Sequence, residues 1–275
     1  MIKFSLLICI YAKENPVYFQ QCLDSLHCLT VMPDEIVVVK DGPLPSELEE
    51  VLSTFCHPSV NIISLPENVT LGPARAIGVE AACFDWIAVM DSDDICRSDR
   101  FEKQLSLIES DPELSLIGGQ IAEFVDDPGF TVATRFVPTE HDDIVRFAKT
   151  RSPFNHMTVM FRRDTVLRVG NYRLFPLFED YDLWTRLIKN GTICANHPDV
   201  LVDARVGRDM FGRRRGIKYV GCEWRMQRQL LGLGLINGFE FLRNVILRIP
   251  VRLLPGRLIA KVYGKFVRTH ADRLS

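Results

Sequence analysis

Three carboxylates follow one apolar run of the sequence and could together bind a cation. Asp91, Asp93 and Asp94 come directly after Trp86–Met90, which has the length and composition of a buried parallel strand. Ligands of α/β sheets bind at the rim formed by the carboxyl ends of the strands. Carboxylate oxygens suit Mg²⁺ or Mn²⁺, and these ions suit a diphosphate. The turn from Asp91 through Ser92 to Asp94 is therefore predicted to be a metal–nucleotide site.

Two further polar groups are predicted near the same rim. Asp41 follows the β-branched run Ile36–Val39 and is either part of a simple Asp-Gly-Pro turn or an acceptor for base or ribose hydrogen bonds. The stretch from Asn68 to Arg75 precedes a predicted helix. It is either a loop with a helix cap or a phosphate site made by the helix N-terminus and Arg75, which could also hold neighbouring carboxylates.

A second acidic segment opens a predicted helix in the other half of the chain. Glu179, Asp180 and Asp182 lie where a helix N-terminus favours acidic residues, and one of them could also be a general base. A carboxylate accepts protons at neutral pH, so this role requires no large pKa shift. His156 precedes the apolar run Met157–Phe161 and is either structural or a contact to an acceptor or a metal. No grouping of Ser, Cys and His indicates a hydrolytic triad.

Strand and helix patterns alternate through the first part of the sequence, which predicts an α/β fold with a Rossmann-like, mostly parallel sheet flanked by helices. The predicted strands there are Phe4–Ile10, Glu35–Lys40, Val60–Leu65, Trp86–Met90 and Leu114–Phe124. The predicted helices there are Pro16–Leu26, Ser46–Phe55, Pro73–Ala82 and Asp99–Glu109. The less regular second part is predicted to contain strand Thr158–Arg162, helices Asp164–Val169 and Asp180–Lys189, and edge strands Ile193–Asn196 and Val200–Ala204.

The composition is that of a globular protein with an uneven distribution of charge. Its 275 residues, 47% of them hydrophobic, are enough for one large domain or a domain with an appendage. Eight cysteines without a CxxC pair disfavour a zinc cluster and favour a reducing compartment. The first apolar run is short for a signal peptide, and no span is long enough for a transmembrane helix. From Arg205 onward, 16 Lys and Arg residues outnumber 4 Asp and Glu residues, a net charge of +12, whereas the preceding residues carry −14.

The basic C-terminal segment interleaves apolar and charged residues. Its apolar set is Leu235, Ile236, Phe239, Leu242, Val245, Ile246, Ile249 and Leu253. Its basic set is Arg213, Arg214, Arg215, Lys218, Arg243, Arg248, Arg252, Arg257, Lys261, Lys265 and Arg268, and Pro250 and Pro255 break any long helix. One interpretation is a helix packed on the body with an exposed basic face. The other is a helix lying in the plane of an anionic membrane surface. Nucleic acid is not an expected partner, because the acidic body would repel it.

In their order along the chain, these motifs resemble family 2 glycosyltransferases, which have the GT-A fold. The matching landmarks are strand Ser5–Tyr11 with the Lys13–Pro16 loop, strand Glu35–Gly42, an Asn68–Gly78 segment similar to N-x-G-x-x-x-A-R with Leu71 inserted, a D-x-D motif at Asp91–Asp93 and an E-D motif at Glu179-Asp180. Ala76 and Lys40 depart from the pattern, in which Asn and a second Asp are common. The likeness covers about residues 4–205 and is greatest to bacterial exopolysaccharide and O-antigen transferases, including amylovoran-type enzymes.

The resemblance implies an inverting transfer of a hexose, with glucose or galactose favoured, from a UDP-sugar to a polyprenyl-diphosphate-linked saccharide during surface polysaccharide synthesis. The implied cofactor is Mn²⁺ or Mg²⁺, bound by Asp93 with Asp91. Asp180 is the implied base, Asp182 the alternative base, and Glu179 assists acceptor placement. The implied donor-binding residues are Tyr11, Glu14, Asp41, Asn68, Arg75, Asp91 and Ser92.

The extent of the resemblance and the change of charge at Arg205 together predict a GT-A catalytic domain, residues 1–204, and a basic amphipathic segment, residues 205–275. That segment is expected to hold the protein on the cytoplasmic, inner face of a bacterial inner membrane. Two alternatives stay open: a nucleotidyltransferase, which would also use a strand-end metal site, and a nucleotide-sugar-binding protein without turnover. A dinucleotide oxidoreductase is disfavoured, because no G-x-G-x-x-G motif follows the first strand.

Overall fold

A nine-stranded sheet runs through the protein, and helices cover both of its faces. The computed structural model describes residues 2–55, 57–207 and 216–253. The strands are β1 (Phe4–Tyr11), β2 (Glu35–Asp41), β3 (Val60–Ser64), β4 (Trp86–Asp91), β5 (Ile95–Cys96), β6 (Leu114–Phe124), β7 (Thr131–Arg135), β8 (Met160–Arg162) and β9 (Ile193–Arg205). The α helices are α1 (Pro16–Leu26), α2 (Ser46–Thr54), α3 (Leu71–Ala81), α4 (Arg100–Ser110), α5 (His141–Ala148), α6 (Arg163–Arg168), α7 (Glu179–Lys189), α8 (Ile217–Gly232) and α9 (Gly238–Leu253).

The first four strands form the parallel part of the sheet, as predicted. Strand β1 pairs with β2 on one side and with β4 on the other, and β2 pairs with β3. Alternate residues of β1 enter two separate hydrophobic clusters, one with α1, α2 and α4 and one with α3, α5 and α7. This burial on both faces explains the nearly continuous apolar runs in these strands. The register sets Tyr11 opposite Asp41 and Cys9 opposite Asp91, so the ends of β1, β2 and β4 lie at one rim.

The other strands make the sheet mixed. Strand β8 lies antiparallel between β4 and β6, and β6 pairs in parallel with β9. The two short strands predicted near the end of the sheet are one strand, β9, which follows β6 from Leu114 to Phe124. The register shifts between Gly118 and Gln120, where three residues of β9, His197 to Asp199, lie opposite the single residue Gly119. Pro198 lies among these residues, and proline suits such an irregular position because it has no N–H group to donate to the neighbouring strand.

The described part of the C-terminal segment is a helical hairpin that packs on the body. Helices α8 and α9 contact each other, and a third hydrophobic cluster joins them to the start of α7. None of the helices in residues 2–55, 57–207 and 216–253 is long and apolar enough to cross a membrane. The predicted boundary after residue 204 stays a prediction. Several basic residues considered above lie outside the described residues, namely Arg213, Arg214, Arg215, Arg257, Lys261, Lys265 and Arg268, together with Pro255.

Candidate active site

The end of β2 is tied to the loop that leads into α3. The carboxylate of Asp41 is 5% exposed and accepts hydrogen bonds from Asn68 Nδ2 at 2.9 Å and from the Val69 amide at 2.6 Å. A side chain on Gly42, which has φ +89°, would collide with the Asn68 amide nitrogen. Two predicted donor-binding residues, Asp41 and Asn68, are thus in direct contact. Their bonds fix the loop, and the carboxylate oxygens keep lone pairs that could accept further hydrogen bonds.

Tyr11 and Glu14 lie beside them at the end of β1. The Glu14 amide donates to the Tyr11 carbonyl at 3.1 Å, which closes a turn directly after the strand. Tyr11, the last residue of the otherwise buried strand β1, is 39% exposed. Because Tyr11 pairs with Asp41 in the sheet, the three predicted nucleoside contacts lie on neighbouring strand ends.

Arg75 links the acidic turn to the second acidic segment. Its Nη2 is 2.7 Å from Asp91 Oδ1, and its Nη1 is 3.8 Å from Glu179 Oε1. The guanidinium is buried, which by itself would lower the pKa of Arg75, but attraction by Asp91, Tyr172 and other nearby groups outweighs burial and raises that pKa. Arg75 is therefore a permanent buried cation between residues that are far apart in sequence.

Close backbone packing brings α3 to this position. A side-chain carbon on Gly72 would lie 2.6 Å from the Arg173 carbonyl oxygen and 3.3 Å from Glu179 Cβ. Thr70, two residues before Gly72, has φ +74°, a left-handed conformation that is strained for a β-branched residue. The glycine of the N-x-G segment thus allows the first turn of α3 to touch the chain around Glu179. That contact explains why Arg75 can reach both acidic segments.

The acidic turn after β4 is fixed from the far end of β9. Asp94 Oδ1 accepts from the Arg205 amide at 2.7 Å, and Arg205 Nε donates to the Asp93 carbonyl at 3.0 Å. The same guanidinium lies over the Tyr18 ring, with 3.9 Å to its centroid. Burial and repulsion by Asp91 and Asp93 raise the pKa of Asp94 well above its usual range, and the hydrogen bond from the Arg205 amide and the charge of Arg205 offset part of this rise. The sequence identified Arg205 only as the start of the basic segment.

The turn fits a cation that is shared with a diphosphate. Among the described residues, no group of three His, Cys, Asp or Glu side chains could hold a metal ion by itself. Asp91 already binds Arg75 and Asp94 binds the Arg205 amide. Mg²⁺ and related ions are commonly bound through one or two carboxylates plus substrate phosphates, and mutual repulsion among carboxylates favours a bound cation. The donor set is therefore suitable for such an ion but does not form an all-protein metal cage.

Glu179 and Asp180 begin α7, and the pKa of each carboxyl is raised. For Glu179 the causes are burial and repulsion by Asp180, opposed by Arg75. For Asp180 burial raises the pKa, against a hydrogen bond from the Tyr181 amide and the charges of Arg75 and Arg135. A carboxylate with a raised pKa is a stronger base, which suits proton transfer from a hydroxyl group. Arg135, at the end of β7, is a neighbour of Asp180 that the sequence did not reveal.

Asp182 does not share this position, which corrects its assignment as the alternative base. Its side chain is 1% exposed, and Arg186 Nε donates to its Oδ2 at 2.9 Å. Arg186 also donates to the carbonyl oxygens of Val169 and Asn171. Because Asp182 follows Asp180 by two residues, it lies on the opposite side of the helix. It is a structural ion-pair partner inside the core.

The assignment of His156 to an acceptor or metal contact also needs correction. The ring is 8% exposed, stacks on Trp184 with 5.9 Å between centroids and meets the edge of Tyr172 at 6.0 Å. Burial, together with the charges of Arg75 and Arg100, lowers the pKa of His156 well below its usual range. Both ring nitrogens are inaccessible, and neither has a hydrogen-bond partner among the described residues. His156 is therefore a neutral core residue beneath the site.

Comparison with known proteins identifies a family. The family model described as Glycosyl transferase family 2 matches residues 5–170. An uncharacterized glycosyltransferase of Haemophilus influenzae is 43% identical over 97% of this chain and 100% of the relative. The amylovoran biosynthesis glycosyltransferase AmsE of Erwinia amylovora is 41% identical over 95% of this chain and 98% of the relative. The UDP-Gal:alpha-D-GlcNAc-diphosphoundecaprenol beta-1,3-galactosyltransferase of Escherichia coli is 35% identical over 97% of both chains.

Solved structures confirm the predicted fold. Residues 1–349 of TarS from S. aureus, in complex with UDP-GlcNAc, align over 98% of this chain and 74% of that chain, with a TM-score of 0.63 and 17% identity. The mannosyltransferase PcManGT from Pyrobaculum calidifontis, in complex with GDP-Man and Mn²⁺, aligns over 96% of this chain and 75% of that chain, with a TM-score of 0.65 and 14% identity. At these identities the likeness concerns the GT-A fold alone.

Proposed function

Because the chain belongs to glycosyl transferase family 2 and is a glycosyltransferase, we propose that it moves a hexose from a UDP-sugar to a hydroxyl group of a polyprenyl-diphosphate-linked saccharide. Support for this substrate pair comes from the relatives that act on a diphosphoundecaprenol-linked sugar and in amylovoran biosynthesis. The galactosyltransferase among them favours galactose over glucose as the donated sugar. The product would be an intermediate of a bacterial surface polysaccharide, an O-antigen or an exopolysaccharide.

The observation that carries this proposal is the Arg75 bridge. It holds Asp91, at the predicted donor end, close to Glu179, at the predicted acceptor end. A donor diphosphate beside the acidic turn and an acceptor hydroxyl beside Asp180 would then meet in one cleft. Holding two reactants in a reactive orientation is itself a large part of catalysis.

In the proposed reaction, Asp180 is the general base. The acceptor oxygen forms a bond to the anomeric carbon while the bond from that carbon to the diphosphate oxygen breaks on the opposite face. The hydroxyl proton passes to a carboxylate oxygen of Asp180. Glu179, paired with Arg75, helps to place the acceptor. This single displacement inverts the anomeric configuration.

The remaining residues bind the donor. Tyr11, Glu14 and Asp41 would hold the base and ribose, with Asn68 and Ser92 supporting the same pocket. Asp93 with Asp91 would hold Mn²⁺ or Mg²⁺ together with the diphosphate. Such an ion stabilises the negative charge of a leaving diphosphate. A lipid-linked acceptor also requires the protein to work at the inner face of the membrane, where the basic C-terminal segment would meet anionic lipids.

Calorimetry with UDP-glucose, UDP-galactose and their N-acetyl forms tests the donor site. We expect one donor to bind in the presence of Mn²⁺ and binding to be lost with chelator or in Asp93→Ala, because that carboxylate completes the metal site. Asp164→Ala is the matched control, since Asp164 is a well exposed aspartate on α6 and should leave binding unchanged. Failure of all four donors to bind would refute the UDP-sugar assignment. Binding without product formation would instead favour a nucleotide-sugar-binding protein.

The rate of transfer should depend on pH through Asp180. Burial raises the pKa of this group above the ordinary value for aspartate. Since the base must be deprotonated to accept a proton, kcat should fall as the pH falls through this raised pKa and be constant above it. Measurement of kcat against pH at saturating substrate concentrations records this fall. The residual kcat of Asp180→Asn should not fall in this pH range. An unchanged fall in that variant would show that a group other than Asp180 titrates there.

A further inference from the structure

Helix α9 exposes an apolar stripe. Phe239 is 77% exposed, Leu242 is 55% exposed and Ile246 is 59% exposed, and their spacing places the three side chains on one face of the helix. Leu247 adjoins the stripe and is also exposed. Exposed apolar side chains that are contiguous, rather than scattered singly, mark a contact surface.

The side of α9 that meets the body carries Phe241, which packs against the third hydrophobic cluster, and a set of polar side chains. Asn244 Nδ2 donates to the Lys149 carbonyl at 2.9 Å and to Gln227 Oε1 at 3.0 Å. Arg248 and Arg252 pair with the buried carboxylate of Glu223 on α8. A surface helix of a globular protein normally turns a polar face to solvent, whereas the outward face of α9 is apolar. The buried polar contacts therefore fix α9 with its apolar stripe outward.

The exposed charges of the α8–α9 hairpin have one sign. Within residues 216–253, the two acidic side chains are engaged: Glu223 with the arginines of α9 and Glu240 with Lys149. The exposed charged side chains of this hairpin are all basic, namely Lys218, Arg225, Arg228 and Arg243. Of these, Arg243 follows Leu242 on α9 itself. An apolar stripe beside a basic residue, on a hairpin whose exposed charges are all basic, matches the boundary between headgroups and acyl chains of an anionic bilayer.

The hairpin is connected to the helix that begins with Glu179 and Asp180. Phe175, Phe178 and Tyr181, which flank this pair, pack in the third hydrophobic cluster. The residues from α8 and its following loop in that cluster are Tyr219, Met226, Leu230 and Ile236. Phe241 of α9 packs against the same cluster, so α9 is joined to the start of α7 through packed side chains.

We propose that the exposed face of α9 docks on an anionic lipid bilayer, with Phe239, Leu242 and Ile246 inserted at the headgroup level. Docking in this orientation holds the start of α7 at a fixed distance from the bilayer. A lipid-linked acceptor could then present its saccharide to Asp180, a consequence that rests on the proposed function. The docking itself does not depend on the identity of the substrates.

Flotation of the full chain with vesicles of phosphatidylethanolamine and phosphatidylglycerol tests this proposal. The double variant Phe239→Asp/Ile246→Asp should partition at least about tenfold less, because two large apolar side chains no longer enter the bilayer. Arg243→Glu should reduce partitioning several-fold, with a strong dependence on salt. Phe130→Asp is the matched control, since Phe130 is 75% exposed in the turn before β7 and should partition as the wild type does.

The outcomes separate docking from catalysis. The double variant should keep its thermal stability and its turnover of a short-chain, water-soluble acceptor. The proposal would be overturned if the double variant bound the vesicles as well as the wild type does. It would also be overturned if the wild type bound vesicles of phosphatidylcholine alone as well as the anionic vesicles. If the wild type instead formed a dimer and did not bind vesicles, and the double variant were monomeric, the exposed face of α9 would be a contact surface for a second copy of the chain. Vesicle binding without any turnover would leave docking in place and refute the proposed function instead.

Discussion

Asp180→Asn is expected to lower kcat by about 10²–10⁴-fold, the usual effect of removing a general base. The amide has nearly the same shape as the carboxylate but cannot accept the acceptor's proton at neutral pH. Donor affinity should stay unchanged, because the predicted donor residues lie at the ends of β1, β2 and β4. Product formation under saturating substrates gives kcat, and calorimetry gives the donor Kd.

Asp182→Asn provides the contrasting control. Asp182 is buried and pairs with Arg186, so its replacement should lower the thermal stability of the protein while turnover per folded molecule is retained. Wild-type kcat in Asp180→Asn would refute the base assignment. Equal loss of kcat in both variants, without a stability difference, would show that the two carboxylates act together.

Arg75→Met should have the largest effect on stability. It leaves Asp91 and Glu179 partly buried without the cation that joins them. Removing one partner of a buried ion pair costs about 3–5 kcal/mol, and because the Asp91 side chain is 30% exposed we expect a loss at the lower end of that range. Urea denaturation monitored by fluorescence measures the free energy of unfolding.

Arg97→Met is the matched control for that measurement. Arg97 pairs with Asp203 at 2.8 Å, but its side chain is 41% exposed, and exposed ion pairs contribute about 0–1 kcal/mol. The Arg75 variant should also lose turnover, since the acidic turn and the start of α7 are no longer joined. Equal small losses of stability in both variants would show that the Arg75 bridge is not structurally important.

The parts of the fold that could be predicted from the sequence are those determined by the hydrophobic pattern of a single strand or helix. The β-branched and apolar runs of β1, β2 and β4 could only be buried strands, and the acidic groups that follow them had to lie at one rim. Three of the elements that were missed are short or polar: β5 has two residues, and β7 and α5 carry few buried side chains. The 16-residue helix α8 was also missed, because its buried set mixes polar and apolar side chains. Their form is set by tertiary contacts rather than by local pattern.

Roles of single residues were harder to predict, because they depend on helix faces and on distant partners. Asp182 could have been recognised, since its spacing from Arg186 indicates an ion pair along the helix. Arg248 and Arg252 were predicted as part of a basic set, either on an exposed face or against a membrane, but they pair with the buried carboxylate of Glu223 on α8. Arg205 has no local signal at all, because its contacts with Asp93 and Asp94 arise only when β9 is in the sheet.

The long-range bond between Asp94 and Arg205 has a consequence for how the enzyme matures. The two residues are 111 positions apart, so a growing chain contains the acidic turn long before it contains the strand that fixes it. Contacts of such separation form late, because the entropy of closing the intervening chain must first be overcome. A nascent chain that ends before β9 therefore has the carboxylates of the site but not their fixed arrangement. We expect the enzyme to become active only after nearly the whole sheet has been synthesised.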